Sequence, residues 1–297
     1  MNMPQVTPPS SAVQPLQGTR VLSLALNLPG PAALMRLRRM GAQCTKVESP
    51  QGDPMQSYSA SAYAQLHSGV HTLTLDLKTA TGQAALHTEL VQTDVLLTSF
   101  RPSALRRLQL DWPALHKLHP GLCMVCIVGS PGARADEAGH DLTYLAENDL
   151  VHTTDLPATL YADMAGALMA TEAVLQAVLV LKIQGVSTFQ EVALSSAAAH
   201  LALPRAWGMT LASGPVGGAH AGYRVYACAD GRVAVAALEP HFAKALCQAA
   251  QIAYADAADM LTPQVHAALT TFFATRRCQE LSALARAKDL PLHCMPH

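Results

Sequence analysis

The chain has 297 residues, of which 50% are hydrophobic and only 14% are charged, so it is long and apolar enough for one large or two modest globular domains. Its formal net charge of −1 supplies no broad positive field. Nucleic acid is therefore not an expected partner, and a phosphate-bearing ligand must be held by a few local groups. The seven cysteines are scattered along a chain without a signal peptide, which is typical of reduced thiols in a cytoplasmic protein.

Strands and helices are predicted to alternate after a short tail. Residues 1–15 are rich in proline, serine and glutamine, and we expect them to be disordered. From Leu16 onward, apolar runs and helical spacings follow each other in turn. The predicted strands are 19–25, 42–48, 72–77, 94–98 and 122–128, and the predicted helices between them are 32–40, 80–92 and 112–118. This order predicts an α/β fold with a Rossmann-like, mainly parallel sheet in a large domain spanning 16–188.

Two segments have more ordinary explanations than their first appearance suggests. Cys123 and Cys126 have redox-motif spacing, but they lie inside the apolar run 122–128, which predicts a buried strand, and no metal site is expected. The segment 162–183 is long and apolar enough to span a membrane. It carries Asp163, Glu172 and Gln176, which are costly at bilayer depth, so we predict a buried helix and no membrane contact.

A second, smaller α+β domain is expected from residue 189 to residue 297. Short strands and alanine-rich helices replace the earlier alternation there. Ala229-Asp230-Gly231 predicts a hairpin turn before a strand at 233–237, with Asp-Gly providing the positive φ of such a turn.

Three ionisable residues could perform chemistry. Asp163 opens the long helix, where the positive helix end and backbone N–H groups favour a carboxylate or a developing oxyanion. An imidazole such as His140 on the opposite face of a substrate carbon would complete a two-base pair for proton transfer. The simpler alternative makes Asp163 a helix cap and His140 a loop residue. Glu239, before Pro240, either supports the histidine or caps its own helix.

A series of motifs resembles one enzyme family. The segments are Leu16-x-Gly-x-Arg-Val-Leu, Leu26-Asn-Leu-Pro-Gly-Pro31, Met40-Gly-Ala-x-x-x-Lys-Val-Glu48, Leu75-Asp-Leu-Lys78, Gly139-His140-Asp141 and Tyr226-x-Cys-Ala-Asp-Gly-Arg232. In this order they resemble the family III CoA-transferases, also called the CaiB/BaiF family. The Gly-His-Asp motif is most similar to the α-methylacyl-CoA racemase branch.

The resemblance implies an acyl-CoA enzyme that works as an interlocked homodimer. It implies no permanently bound cofactor, since coenzyme A arrives as part of the substrate. Asp163, His140 and Glu239 match the family's catalytic positions. The residues expected to bind CoA are Thr98, Ser99, Phe100, Arg101, Arg107, Gly139, Asp141 and Tyr144.

Three functions follow from the resemblance and stay open at the level of sequence. The first is a racemase or epimerase that exchanges the α-proton of a 2-methylacyl-CoA between His140 and Asp163. The second is a CoA-transferase that moves CoA between carboxylic acids through an acylated Asp163. The third is a non-catalytic paralogue.

The chain departs from the family mainly in its basic residues. The family's basic triad before the Leu-Asp-Leu-Lys motif is replaced by residues 67–71, a strand-end arginine is Ser49, and a glycine-rich loop reads Gly129-Ser-Pro-Gly132. We expect weaker CoA binding unless Lys46, His67 or His71 compensates. We also expect the family's C-terminal return segment to be lacking, and therefore a looser dimer.

Overall fold

The computed structural model describes residues 13–297, so the expected tail lies outside the described residues as far as residue 12. Two compact units divide between Ala202 and Leu203. The division falls later than the boundary expected at residue 189, because the strand Phe189–Ala193 pairs with the sheet of the first unit. Each unit is described separately below.

The first unit contains a six-stranded parallel sheet. Its strands are β1 Arg20–Ser23, β2 Gln43–Glu48, β3 His71–Thr74, β4 Val95–Thr98, β5 Cys123–Val128 and β6 Phe189–Ala193. They lie in the order β3-β2-β1-β4-β5-β6, and all neighbours are parallel. The predicted Rossmann-like sheet is confirmed. Every residue of β5 is buried, so Cys123 and Cys126 are strand residues with free thiols, as predicted.

Nine helices connect or cover these strands in the described part of the unit: α1 Pro29–Arg39, α2 Pro54–Tyr58, α3 Ala60–Leu66, α4 Ala80–Leu90, α5 Pro102–Arg107, α6 Trp112–Leu118, α7 Asp141–Glu147, α8 Tyr161–Gln184 and α9 Leu194–Leu201. Helix α1 begins at Pro29, earlier than predicted, because proline is well suited to a first helical turn. Gly30 fits there because a Cβ at this position would lie 2.1 Å from the Cβ of Ala25.

Helix α8 is the longest element and is buried on one side only. By length and composition it is, within the described residues, the one helix apolar enough to cross a membrane, and 44% of its most apolar window is buried. Its small residues, including Gly166, Ala170 and Ala177, are buried, and the helix packs against α1 and β5. Its other side is exposed and carries Met164, Leu168, Leu179 and Ile183, with the polar pair Glu172 and Gln176 between them.

The second unit has its own sheet and core. Strands β7 Tyr223–Cys228, β8 Gly231–Ala236 and β9 Leu292–Pro296 are antiparallel, with helices α10 Leu203–Ala206, α11 Pro240–Ala249, α12 Pro263–Ala274 and α13 Cys278–Lys288. Apolar residues such as Val233, Leu246 and Phe273 form a separate core, as expected for a small α+β domain.

The predicted hairpin turn joins β7 and β8, but its predicted backbone conformation was wrong. Neither Asp230 nor Gly231 is among the described residues with positive φ. Glycine is required at 231 for a different reason, because a Cβ there would lie 2.3 Å from the carbonyl oxygen of Met295 on the neighbouring strand.

Candidate active site

The loops that follow β1 and β4 meet where the strand order of the parallel sheet reverses. In open α/β sheets this point forms a crevice that binds ligands. The backbone N–H of Leu26 donates to the Ser99 hydroxyl at 3.0 Å, and the N–H of Phe100 donates to the Thr98 hydroxyl at 3.1 Å. Thr98 is fully buried. Of the predicted CoA-binding residues, Thr98 and Ser99 therefore shape the two loops.

An open cleft of about 1150 Å³ adjoins the loop after β4. Phe100, Arg101 and Arg107, which are among the residues predicted to bind CoA, line it together with apolar side chains of α4, α5 and α6. Lys78 and His87 also line it, and none of the described lining residues is acidic. Lys78 belongs to a motif noted in the sequence, whereas no sequence pattern singles out His87. The cleft therefore combines apolar walls with cationic groups, which suits a ligand that carries phosphates.

His140 and Asp163 approach each other through Asp141. His140 is exposed and precedes α7, where its N–H donates to the Thr143 hydroxyl at 3.0 Å. Asp141 is buried, and its carboxylate accepts the backbone N–H of Asp163 at 2.9 Å. Asp163 is the third residue of α8. The predicted CoA ligand Asp141 thus fixes the start of one helix against the start of the other and holds both predicted catalytic residues at one place.

Electrostatics give Asp163 an unusual proton affinity. Burial, and then the negative charge of Asp141, raise the pKa of its carboxyl to about 6, while the charge of His140 opposes this shift. The carboxyl group is therefore mostly ionised at neutral pH but can carry a proton just below it. A carboxylate tuned in this way is suited to take up and return a proton near neutral pH.

Tyr144 is buried beneath the loop that carries His140. A Cβ on Gly129 would lie 2.3 Å from its hydroxyl, and one on Gly139 would lie 2.6 Å from the same oxygen. Burial and the charge of Asp163 raise the pKa of the Tyr144 phenol. Gly139 and Tyr144, both predicted CoA ligands, therefore pack against each other next to His140.

Tyr58 was missed by the sequence analysis. Its hydroxyl donates to the side-chain oxygen of Asn27 at 3.1 Å. Burial and the charges of Asp53 and Asp163 raise the pKa of its phenol, so the ring lies within electrostatic range of the Asp163 carboxylate. The signal was weak, because Tyr58 ends the five-residue helix α2, which no periodicity reveals.

A buried polar network lies below the loop after β1. The fully buried Lys46 ammonium contacts Asp53 at 2.5 Å, Glu48 at 2.9 Å and the Nε2 atom of His67 at 2.8 Å. Lys46 and His67 therefore point inward and are not available to replace the missing phosphate ligands, so of the three residues named for that role only His71 is left. His71 is exposed on β3. The ammonium also supplies the positive charge that Glu48 and Asp53 require.

Glu239 lies in the second unit, immediately before α11. Its carbonyl accepts the N–H of Ala243 at 2.9 Å, but its exposed side chain makes no capping hydrogen bond. The capping role considered for this carboxylate is therefore absent.

The strand order, the basic cleft and the carboxylate at the start of α8 define an α/β protein of the class that binds ligands at the end of a parallel sheet. The chain belongs to CoA-transferase family III, whose sequence profile matches residues 16–295.

Curated relatives include both transferases and a racemase. The chain is 36% identical over 136 residues to the succinyl-CoA–D-citramalate CoA-transferase of Chloroflexus aurantiacus, a match that covers 42% of this chain and 34% of that enzyme. It is 31% identical over 245 residues to human α-methylacyl-CoA racemase, covering 76% of this chain and 62% of the racemase. This chain matches only about a third of the length of three CoA-transferases, at 34%, 36% and 32%. These matches are too short to assign the activities of those enzymes to this chain.

Solved structures share the fold. A hypothetical protein of Mycobacterium tuberculosis superposes with a TM-score of 0.84 at 23% identity, covering 95% of this chain and 85% of that one. A CaiB/BaiF family protein of Brucella suis gives a TM-score of 0.79 at 22% identity, covering 96% and 85%.

Proposed function

We propose that this family III protein is an acyl-CoA racemase or epimerase that inverts the α-carbon of a 2-methylacyl-CoA. The observation that carries the proposal is the pairing of His140 with a carboxyl group, Asp163, whose pKa is raised to about 6. A carboxylate with a pKa near neutrality can both take up and return a proton, and an imidazole on the opposite face of the carbon can act as its partner. The similarity to human α-methylacyl-CoA racemase over 76% of the chain also supports it.

In the proposed reaction the two groups act from opposite faces of the α-carbon. The Asp163 carboxylate takes the α-proton, and the electron pair of the broken C–H bond moves onto the thioester carbonyl to give an enolate. Protonated His140 then delivers a proton to the other face, and the reverse reaction exchanges the two roles. The positive N-terminal end of α8 stabilises the negative enolate oxygen.

The cleft beside β4 is proposed to hold the CoA part of the substrate. Arg101, Arg107 and Lys78 provide positive charges for its phosphates, and Phe100 and Leu108 provide apolar surface. Calorimetry with CoA tests this: Arg107→Ala is expected to weaken binding about tenfold or more, since a charge-assisted hydrogen bond contributes about 1.5–3 kcal/mol. Absence of CoA binding by the unaltered chain would contradict the enzyme proposals and leave the non-catalytic paralogue.

Deuterium exchange tests the proton transfer. The full chain is incubated with a 2-methylacyl-CoA in heavy water, and α-deuteration is followed by mass spectrometry. His140→Ala and Asp163→Ala are each expected to lower exchange by at least a hundredfold. His200→Ala, an exposed histidine on α9, is the matched control and should leave exchange unchanged. Normal exchange in both site variants would refute the proposal.

A CoA-transferase is the second candidate, favoured by the succinyl-CoA-using relatives. In that reaction the Asp163 carboxylate attacks the thioester carbonyl, the thiolate of CoA leaves, and an aspartyl anhydride forms. Hydroxylamine would trap this anhydride as a hydroxamate on Asp163. A hydroxamate together with absent α-deuteration would assign the transferase.

Two broader features complete the proposal. All seven cysteines are free thiols, which supports a reducing compartment such as the cytoplasm, and fractionation of cells expressing the tagged chain tests this. The exposed apolar side of α8 supports a homodimer.

A further inference from the structure

Two cysteines and a carboxylate converge in the second unit, at the turn between β7 and β8 and the first residue of α13. The Sγ atoms of Cys228 and Cys278 are 3.6 Å apart, and the Cys228 sulfur lies 4.0 Å from Oδ1 of Asp230. One ligand atom from each of the three residues lies within 4.8 Å of the others. Both cysteines are more than nine-tenths buried.

The spacing of the two sulfur atoms fits a tetrahedral thiolate site. Zinc–sulfur bonds of about 2.3 Å at a tetrahedral angle place two sulfur atoms about 3.8 Å apart. The observed 3.6 Å agrees with this value, whereas a disulfide would require the sulfur atoms to approach to about 2.05 Å. We propose that Cys228, Cys278 and Asp230 bind one thiophilic divalent cation, for which Zn²⁺ is the natural test, with water as the fourth ligand.

The local structure orients these ligands. The backbone N–H of Cys278 donates to Oδ1 of Asp230 at 2.7 Å, which fixes the carboxylate beside the start of α13. Cys228 and Asp230 flank a tight turn because Cys228 pairs with Gly231 across the β7–β8 ladder. The hairpin and the helix therefore hold the three ligands without any displacement of the strands, and hydrogen bonds to ligands of this kind typically strengthen metal binding.

Charge at the site balances in a simple way. The two thiols lose their protons to solvent, two S–H bonds are replaced by two Zn–S bonds, and the carboxylate brings the ligand charge to −3. The cation reduces this to −1, and the positive N-terminal end of α13 and the nearby Arg277 offset the remainder. Binding consequently releases two protons for each ion bound.

The site would fasten elements that are distant in the chain. Cys228 and Cys278 are separated by 50 positions, so one ion ties the β7–β8 turn to α13. A structural ion of this kind stabilises the folded unit without taking part in proton transfer. The inference is independent of the proposed racemase activity.

The test uses the full chain, reduced and freed of metal with a chelator. Titration with Co²⁺ should produce a thiolate-to-cobalt charge-transfer band that saturates at one ion per chain. Zn²⁺ should displace the band and raise the melting temperature. Absence of the band would overturn the proposal.

Variants distinguish this site from other thiols. Cys228→Ser and Cys278→Ser should each remove the band or weaken binding more than tenfold. Asp230→Asn retains an acceptor for the Cys278 N–H and should lower Zn²⁺ affinity about tenfold or more while the chain still folds. Cys294→Ser, a partly buried cysteine of β9, is the control and should bind normally. Equal loss in Cys294→Ser, or no loss in Asp230→Asn, would refute the assignment.

A disulfide is the competing outcome for the same pair. After treatment with peroxide, which would accept the two electrons and two protons of the thiols, mass spectrometry would detect a loss of two hydrogens. That result, combined with no cobalt band in the reduced chain, would replace the metal site by a redox-sensitive pair.

Discussion

At the scale of single residues, Asp163 is subject to opposing influences. The first turn of α8 favours its negative charge, while burial and Asp141 disfavour it and raise the pKa to about 6 from 3.8. Because the folded pKa exceeds the unfolded one, this group stabilises the fold fully below about pH 3.8, and the contribution is lost as the pH rises through about 6. Ionised Asp163 therefore lowers stability at neutral pH.

Asp163→Asn should consequently stabilise the chain in a pH-dependent way. With allowance for partial exposure, we expect a gain of about 2 kcal/mol at pH 8 that largely disappears at pH 4. Urea unfolding at the two pH values measures it. Asp155→Asn, which alters an exposed loop, is the control. A gain of equal size at both pH values would show that charge is not the cause.

At the scale of elements, buried charged side chains hold the loop after β1 in place. Asn27 has a left-handed backbone with φ 63°, and its N–H donates to the Asp53 carboxylate at 3.1 Å. Asp53 is in turn paired with Lys46. The ion pair between Lys46 of β2 and Asp53 at the start of α2 therefore positions the loop beside the candidate active site.

Removal of the Lys46 ammonium should lower the free energy of unfolding. Lys46→Met leaves Glu48 and Asp53 buried without a counter-charge, and we expect a loss of about 3–5 kcal/mol in the free energy of unfolding. Lys117→Met, an exposed lysine of α6, should change it by less than about 0.5 kcal/mol. A loss below about 1 kcal/mol for Lys46→Met would contradict the role assigned to the pair.

Sequence patterns predicted those features that depend on local chemistry. Strand β5 was predictable because its residues are uniformly apolar and buried, and Asp163 because it opens a long helix. The burial of Lys46 was not predictable from the sequence, since Asp53 and His67 enclose it only in the folded unit. Tyr58, and the approach of Cys228 to Cys278 across 50 positions, depend on tertiary packing in the same way.

At the scale of the whole molecule, α8 leaves four large apolar side chains uncovered. Met164, Leu168, Leu179 and Ile183 are 43%, 50%, 59% and 72% exposed, and the spacing of four residues within each pair keeps it on one side of the helix. Exposed Glu172 and Gln176 separate the two pairs, and exposed apolar groups rimmed by polar residues in this way are typical of protein–protein contacts. A second copy of the chain is the partner we propose.

The proposed dimer can be tested by sedimentation. The unaltered chain should sediment as a dimer, and Leu168→Glu combined with Leu179→Glu should convert it to a monomer, because the charges would be buried unpaired. Val91→Glu, which alters another exposed apolar residue that is 74% exposed, should leave the dimer intact. A monomeric unaltered chain would refute the proposal.

The packing of Tyr144 against Gly129 and Gly139 makes three separate positions a single steric unit. None of them can change alone without a clash or a void, so substitutions there should be accepted in combination. Among family members, a small residue in place of the tyrosine should accompany side chains at the two glycine positions, and an aromatic residue should accompany glycine at both. Covariation at these positions would therefore identify the relatives whose histidine loop is supported in the same manner.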